Sequence, residues 1–218
     1  MSASRRKTAS EKRRSNRRRV FEKLEDRRLF AIGPDNLFSG AGLSTYRLAL
    51  ATTVEFTEEA CDVSSVCDNS TATESEQRAV ASDALDEIVE QVNEVFRQEL
   101  SFEFQLIPDN DLLISTGSTS LDGYTDFNTQ SLLNENPLVI ESRLSNTGAG
   151  ESNEYDIGHV LALNTSGGLA DLGSVGQANR AHGTSGVTFP LIVEDNVMVG
   201  SDSLLGVLMH EIGHQFNA

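Results

Sequence analysis

Leu204-Leu205-Gly206-Val207-Leu208-Met209-His210-Glu211-Ile212-Gly213-His214-Gln215-Phe216 is the stretch on which the reading of this chain turns. Ser201-Asp202-Ser203 in front of it are good helix caps. Leu204, Leu205, Val207, Leu208 and Ile212 then cover one side of a helix. Histidines four apart lie one above the other on a helical face, so His210 and His214 project together along a neighbouring face and both imidazoles can reach one metal ion. Glu211 sits beside them, placed to act on a water held by that metal. The pattern H-E-x-x-H is a zinc-hydrolase signature, and such a site takes three protein ligands and keeps a fourth position open.

The rival reading is a surface helix end carrying two incidental histidines. Three features count against it. The motif follows a capped apolar run, two of the chain's 4 histidines fall in it, and Met209, Gly213 and Phe216 suit a buried helix.

Upstream, Tyr155-Asp156-Ile157-Gly158-His159-Val160-Leu161-Ala162-Leu163 is apolar at most positions and reads as a central strand. His159 shares its parity with Ile157, Leu161 and Leu163. A single histidine on an apolar face is more often a core residue with satisfied hydrogen bonds than a ligand. Gly167-Gly168-Leu169-Ala170-Asp171-Leu172-Gly173-Ser174-Val175-Gly176 lacks the spacing of a phosphate loop. Glycines in an edge strand instead let another backbone approach, as peptide binding by strand addition requires. Val187 to Val199 supplies a further extended segment, broken at Pro190 and at Glu194-Asp195-Asn196.

Nearer the start, Tyr46, Leu48, Leu50, Thr52, Val54 and Phe56 keep a period of two and predict a strand. Between Gln77 and Leu100 the period changes: Leu85, Ile88, Val89, Val92, Val95 and Phe96 fall at helical spacing with acids opposite. Phe102, Phe104 and Leu106 form a second strand, and Leu112-Leu113-Ile114 a short extended piece. Asn136-Pro137 offers a cap and first-turn proline for a short helix carrying Leu138, Ile140 and Leu144. The whole predicts an α+β domain, a twisted mixed sheet with packed helices that ends in the metal helix.

Charge divides the chain. Residues 1–28 hold 12 of the 17 Lys and Arg but only 4 of the 33 Asp and Glu, leaving 5 basic and 29 acidic residues for the rest. A body that acidic repels nucleic acid and anionic membranes, so no nucleic-acid partner is expected for it. The basic arm is the one candidate for contact with an anionic polymer. Residues 1–34 read as a disordered targeting segment, 35–45 as a linker, and 46–218 as the folded domain. No apolar run is long enough for a transmembrane helix. Cys61 and Cys67, the chain's 2 cysteines, read as a small disulfide clasp in an oxidising compartment, with two free surface thiols as the alternative.

Two resemblances extend this reading. Arg19-Val20-Phe21-Glu22-Lys23-Leu24-Glu25-Asp26-Arg27-Arg28-Leu29-Phe30-Ala31 resembles the F-E-x-L-E-x-R-x-L-x-A export-associated motif of large bacterial extracellular proteins, and Arg18-Arg19-Val20-Phe21-Glu22-Lys23 resembles part of a twin-arginine signal. Neither is followed by the apolar stretch of a conventional signal peptide. Together they imply an extracellular or cell-envelope location.

His210 to Phe216 resembles the H-E-x-G-H-Q-F start of the bacterial reprolysin-like metallopeptidases, a branch of the metzincin zinc proteases. Tyr46 to Thr53 is similar to their opening strand, Tyr155 to Val160 to a following strand, and Gly168 to Val175 to their substrate-binding edge strand. The resemblance spans about residues 46–218 and implies a zinc-dependent endopeptidase of peptide or protein substrates. Its fold would be a metzincin upper catalytic subdomain ending in the zinc helix. His210 and His214 would be the zinc ligands, Glu211 the catalytic base, and Gly168, Leu169, Ala170 and Leu172 the substrate-binding residues. The family's full pattern, H-E-x-x-H-x-x-G-x-x-H, has Asn217 at its glycine position, a residue that tolerates left-handed backbone. Its third histidine, the Met-turn and the lower subdomain would fall beyond Ala218, so the chain is expected to be a truncated form. Gly176 stands where many relatives carry a cysteine. The expected alternative is an inactive secreted fragment or a non-catalytic domain with a partial zinc site. A gluzincin site, with a downstream glutamate as third ligand, is disfavoured by Gly213-His214-Gln215-Phe216 and by the edge strand. Substrate preference and oligomeric state are not legible.

Overall fold

The computed structural model describes residues 43–117, 122–125, 127–145, 154–163, 165, 167–187, 192–194, 197–199 and 202–218. The basic arm, most of the 35–45 linker, Pro190, the Asp195-Asn196 break and the Ser201 cap lie outside them. Strand β1 is Ser44–Thr52, followed by helix α1, Val54–Val63, and helix α2, Glu74–Leu100. Strand β2, Phe102–Leu106, leads through a 3-10 turn at Asn110–Leu113 to helix α3, Thr129–Ser145. Strands β3 (Ile157–Leu163), β4 (Gly167–Ala170) and β5 (Gly183–Val187) come next. A hairpin of β6 (Ile192–Glu194) and β7 (Val197–Val199) precedes helix α4, Asp202–Gln215.

Five strands form one sheet in the order β2-β1-β3-β5-β4, parallel except for β4, which runs antiparallel to β5 at one edge. Helices cover both faces. Leu48, Leu50, Ile157 and Leu161 look toward α1, α2 and α4, where Phe56, Leu85, Ile88, Leu204, Leu208 and Ile212 complete the larger core. Ala49, Ala51, Val160 and Ala162 look toward α3, against Leu132, Val139 and Ile140. A strand buried on both faces has no polar side to show, which is why β3 reads as nearly continuous apolar sequence.

Helix α2 follows its periodicity, with Ala81, Leu85, Ile88, Val92 and Phe96 on its buried stripe, except that Val95, expected on that stripe, is 41% exposed at its margin. Each large aliphatic side chain there contributes roughly 1.5–3 kcal/mol by leaving water. The helix starts at a capping box: Glu76 N donates to Thr73 Oγ1 at 3.3 Å and Thr73 N donates to Glu76 Oε2 at 2.8 Å. It ends at Ser101 in the left-handed conformation, φ 58°. Asn93 reaches from its flank to the edge strand β2, accepting from Phe104 N at 2.7 Å and donating to Phe104 O at 2.9 Å. Where β2 stops, Asn110 takes over as partner of β1 through Leu50 N and Leu50 O, at 2.9 and 3.0 Å.

Further expectations are corrected. Val54 and Phe56 lie not in a strand but in the first turns of α1. Thr53 caps that helix, and the residues at 54 and 56 both turn inward, so period two persists across the boundary. Leu112 and Leu113 belong to the 3-10 turn; only Ile114 makes an extended contact, bridging Thr52. Asn136-Pro137 does not start a helix. Asn128 does, accepting from Ser131 N at 3.0 Å, and Pro137 lies inside α3. The Asn136 side chain is spent on tertiary bonds, accepting from Tyr124 Oη at 2.9 Å and donating to Ala181 O at 2.8 Å. Strand β1 also begins at Ser44, two residues before Tyr46.

Cys61 and Cys67 are joined by a disulfide with a Cα–Cα distance of 5.0 Å. Among the described residues no helix is long and apolar enough to cross a membrane.

Candidate metal centre and substrate edge

Helix α4 is seated along the sheet beside β4 and β5 by two different stripes of its surface. Leu204, Leu208 and Ile212 enter the apolar core, while Glu211 and Gln215, one turn apart, are buried against strand backbone. On the adjoining face His210 and His214 lie edge to face, ring centroids 4.5 Å apart at an interplanar angle of 75°. His210 is exposed and His214 half-buried. His214 Nδ1 lies 3.1 Å from Ala218 O. That oxygen only accepts, so Nδ1 is the donor, and in the neutral ring Nε2 keeps the lone pair that a metal takes.

Backbone geometry fixes the end of this helix. Gly173 N donates to His214 O at 3.0 Å, and Val175 N donates to Gln215 O at 3.3 Å. These bonds give the last-turn carbonyls partners outside the helix, beside the Asn217 N bond that His214 O also accepts at 2.8 Å, and tie the loop after β4 to the motif. Asn217 turns the chain with φ 68°. Phe216 packs into an aromatic cluster, stacked on Phe102 at 4.7 Å and edge-on to Tyr46 at 4.9 Å.

Glu211 lies over Gly168. A side chain on that glycine would run into Glu211 Cγ and sit 2.6 Å from Thr184 O. Burial raises the Glu211 carboxyl above its usual range, partly offset by the neighbouring His210 and His214. Gly168 is therefore closed on one face by the glutamate. Leu169, on the opposite face, and Leu172, just past the strand and 65% exposed, are open to solvent. Strand β4 occupies the end of the sheet, and no described strand pairs with its outer side.

His159 is fully buried, as an apolar-face histidine is expected to be, and it is bonded on both sides: Nδ1 to Gln215 Oε1 at 3.0 Å and Nε2 to Ser185 Oγ at 2.8 Å. Desolvation pushes its pKa down to about 4, so the ring is neutral. The fourth histidine, His182, places Nδ1 2.7 Å from Asp171 Oδ2, to which Asn179 also donates at 2.8 Å. Those bonds hold the Asp171 carboxyl below its ordinary range.

The donor set can be tested against zinc. Two imidazoles at helical spacing, one with its Nδ1 bonded to an acceptor oxygen, match what zinc takes from histidine. They fit as two ligands. Among the described residues no third His, Cys, Asp or Glu gathers with them. Ser185 and the part played by Gln215 were not visible in the sequence, because their common partner His159 lies 26 and 56 residues away in the chain.

A family model described as metallo-peptidase family M12B, reprolysin-like, matches residues 82–218. No curated protein matches the chain significantly.

Proposed function

The chain belongs to the M12B reprolysin-like metallopeptidases, and from that premise we propose that it is a zinc-dependent endopeptidase with Glu211 as general base. The observation that carries this reading is the pairing of the adjacent, edge-to-face His210 and His214 with a buried carboxylate beside them. His210 and His214 would hold the zinc, which when bound supplies Lewis acidity and makes a water nucleophilic near neutral pH. Glu211 would be the general base, holding a proton on its carboxylate and handing it on to the leaving amine; burial raises its pKa toward the working range of such a base. The outer side of β4 offers backbone groups to an extended peptide, with Leu169 and Leu172 as apolar contacts for its side chains. Gly168 and Ala170 belong to the same strand, and Gly168 also makes room for the glutamate.

The setting is proposed to be extracellular or the cell envelope, supported by the Cys61–Cys67 bond and by the export-like segment Arg19–Ala31. A second reading is favoured by one observation, that two histidines and no third described ligand gather at the site: a domain that holds zinc without turning over peptide. Incubation with an unstructured polypeptide separates the two. Cleavage that stops on chelation, returns with zinc and fails in His210→Ala supports the peptidase. Zinc binding without cleavage supports the second reading, and no zinc binding at all contradicts both.

A further inference from the structure

Gln215, the residue that follows the H-E-x-x-H segment, has no use in the proposed chemistry, yet it is completely buried and hydrogen-bonded at both ends of its amide. Its Nε2 donates to Gly158 O and to Arg180 O, each at 3.2 Å, with Ser174 Oγ at 3.4 Å. Two carbonyls on the nitrogen side fix the amide's orientation, so Oε1 must accept from His159 Nδ1 at 3.0 Å. His159 Nε2 is then an acceptor, and Ser185 Oγ donates to it at 2.8 Å. One chain of oriented bonds thus runs from β5 through β3 into the last turn of α4. Gly183 is part of the same arrangement: a side chain there would collide with His159 Nδ1 and lie 2.8 Å from Gln215 Cδ.

We propose that Gln215, oriented by His159 and Ser185, is a positioning residue that sets the height and rotation of α4 on the sheet and so places His210, His214 and Glu211. The inference rests on the zinc-site reading given above. Apolar packing of Leu204, Leu208 and Ile212 is non-directional and tolerates small sliding of the helix. The amide of Gln215 does not, because shifting α4 along its axis breaks bonds to Gly158, Arg180 and His159 together. Glu211, one turn earlier on the same stripe, then stays over Gly168, and the last turn that carries His214 is held to the sheet.

The test compares Gln215→Met, similar in volume but without the bonds, with Leu132→Ala, a core truncation on the opposite face of the sheet. Zinc affinity is measured by competition with a chromophoric chelator at a temperature where every variant is folded. Native-state hydrogen exchange of α4 is followed in the metal-free chain. Gln215→Met is expected to speed exchange in the last turn of α4, which carries His214, and through that loosening to weaken zinc binding, on the order of tenfold being the scale for lost support around a metal ligand. Leu132→Ala is expected to lower the Tm while leaving zinc affinity and α4 exchange unchanged relative to the rest of the domain. Parent-like zinc affinity and α4 exchange in Gln215→Met would overturn the proposal, as would an equal loss of affinity in both variants. Should Gln215→Met fail to fold, Ser185→Ala carries the same comparison, with weakened zinc binding expected and parent affinity contradicting it. Absence of zinc binding in the parent contradicts the peptidase reading instead, and the exchange comparison still decides whether Gln215 seats the helix.

Discussion

Gly168 on β4 and Glu211 on α4 occupy one another's space: the volume a side chain at 168 would fill is taken by the Cγ and Cδ of the glutamate. The strand that offers its outer side to a peptide and the helix that carries the proposed base are therefore fitted by the absence of a single methyl group.

Replacing that glycine tests the fit. Gly168→Ala also meets Thr184 O at 2.6 Å, which is backbone and cannot swing aside. A cost of roughly 1–3 kcal/mol is expected, together with a fall in peptide cleavage. Gly206→Ala on the same helix is its counterpart: it is exposed, mid-helix and has nothing within 4 Å of the added carbon. That change should stabilise by up to about 1 kcal/mol. Urea denaturation of the two variants checks both signs.

His159 makes stability depend on pH. Its folded pKa, about 4, lies below the ordinary value of 6.5. Between those values the unfolded chain binds a proton that the folded chain does not. Stability is thus fully present above pH 6.5 and is lost as pH falls through the window toward 4, by up to about 3 kcal/mol. Denaturation at pH 7 and pH 4.5 should show a drop in the parent that is reduced in His159→Gln. Equal drops in both would contradict this account. Asp156, held below the usual carboxylate range by Arg47, adds its own loss at more acid pH.

Phe216 should anchor the end of the motif helix. Phe216→Ala removes the stacking on Phe102 and the edge contact with Tyr46, at roughly 2–4 kcal/mol. Phe216→Leu should retain most of that. A Tm series over the two variants measures the difference.

Reducing the Cys61–Cys67 bond releases a short loop, with a separation of 6 residues, at the end of α1. Chain entropy assigns such a loop about 2 kcal/mol. Denaturation with and without reductant should differ by that amount, and no difference should appear in a double Cys→Ser variant.

Particular residues show what the sequence could carry. The stripe of α2 and its Thr73–Glu76 box were legible because both are local. The motif helix was legible for the same reason, as was β3, whose burial on both faces leaves an apolar run. Strand β5 was not. Gly183-Thr184-Ser185-Gly186 shows no apolar alternation, because its faces are filled by neighbours: His159 and Gln215 over Gly183, and Thr165 over Gly186. The boundary at Thr53 was hidden by a period of two that outlasts the strand, and Pro137 resembled a helix start because the true cap, Asn128, lies farther back. The polar chain joining His159 to Gln215 spans 56 residues and could not be seen from spacing at all.

The proposed role of Glu211 is tested most directly by Glu211→Gln, compared with the parent protein at equal bound zinc on an unstructured polypeptide substrate. The amide keeps the side chain's shape over Gly168 but cannot take a proton. Zinc content should be unchanged and cleavage should fall on the order of 10²–10⁴-fold. Cleavage at the parent rate by a fully zinc-loaded Glu211→Gln variant would contradict the assignment of Glu211 as the base.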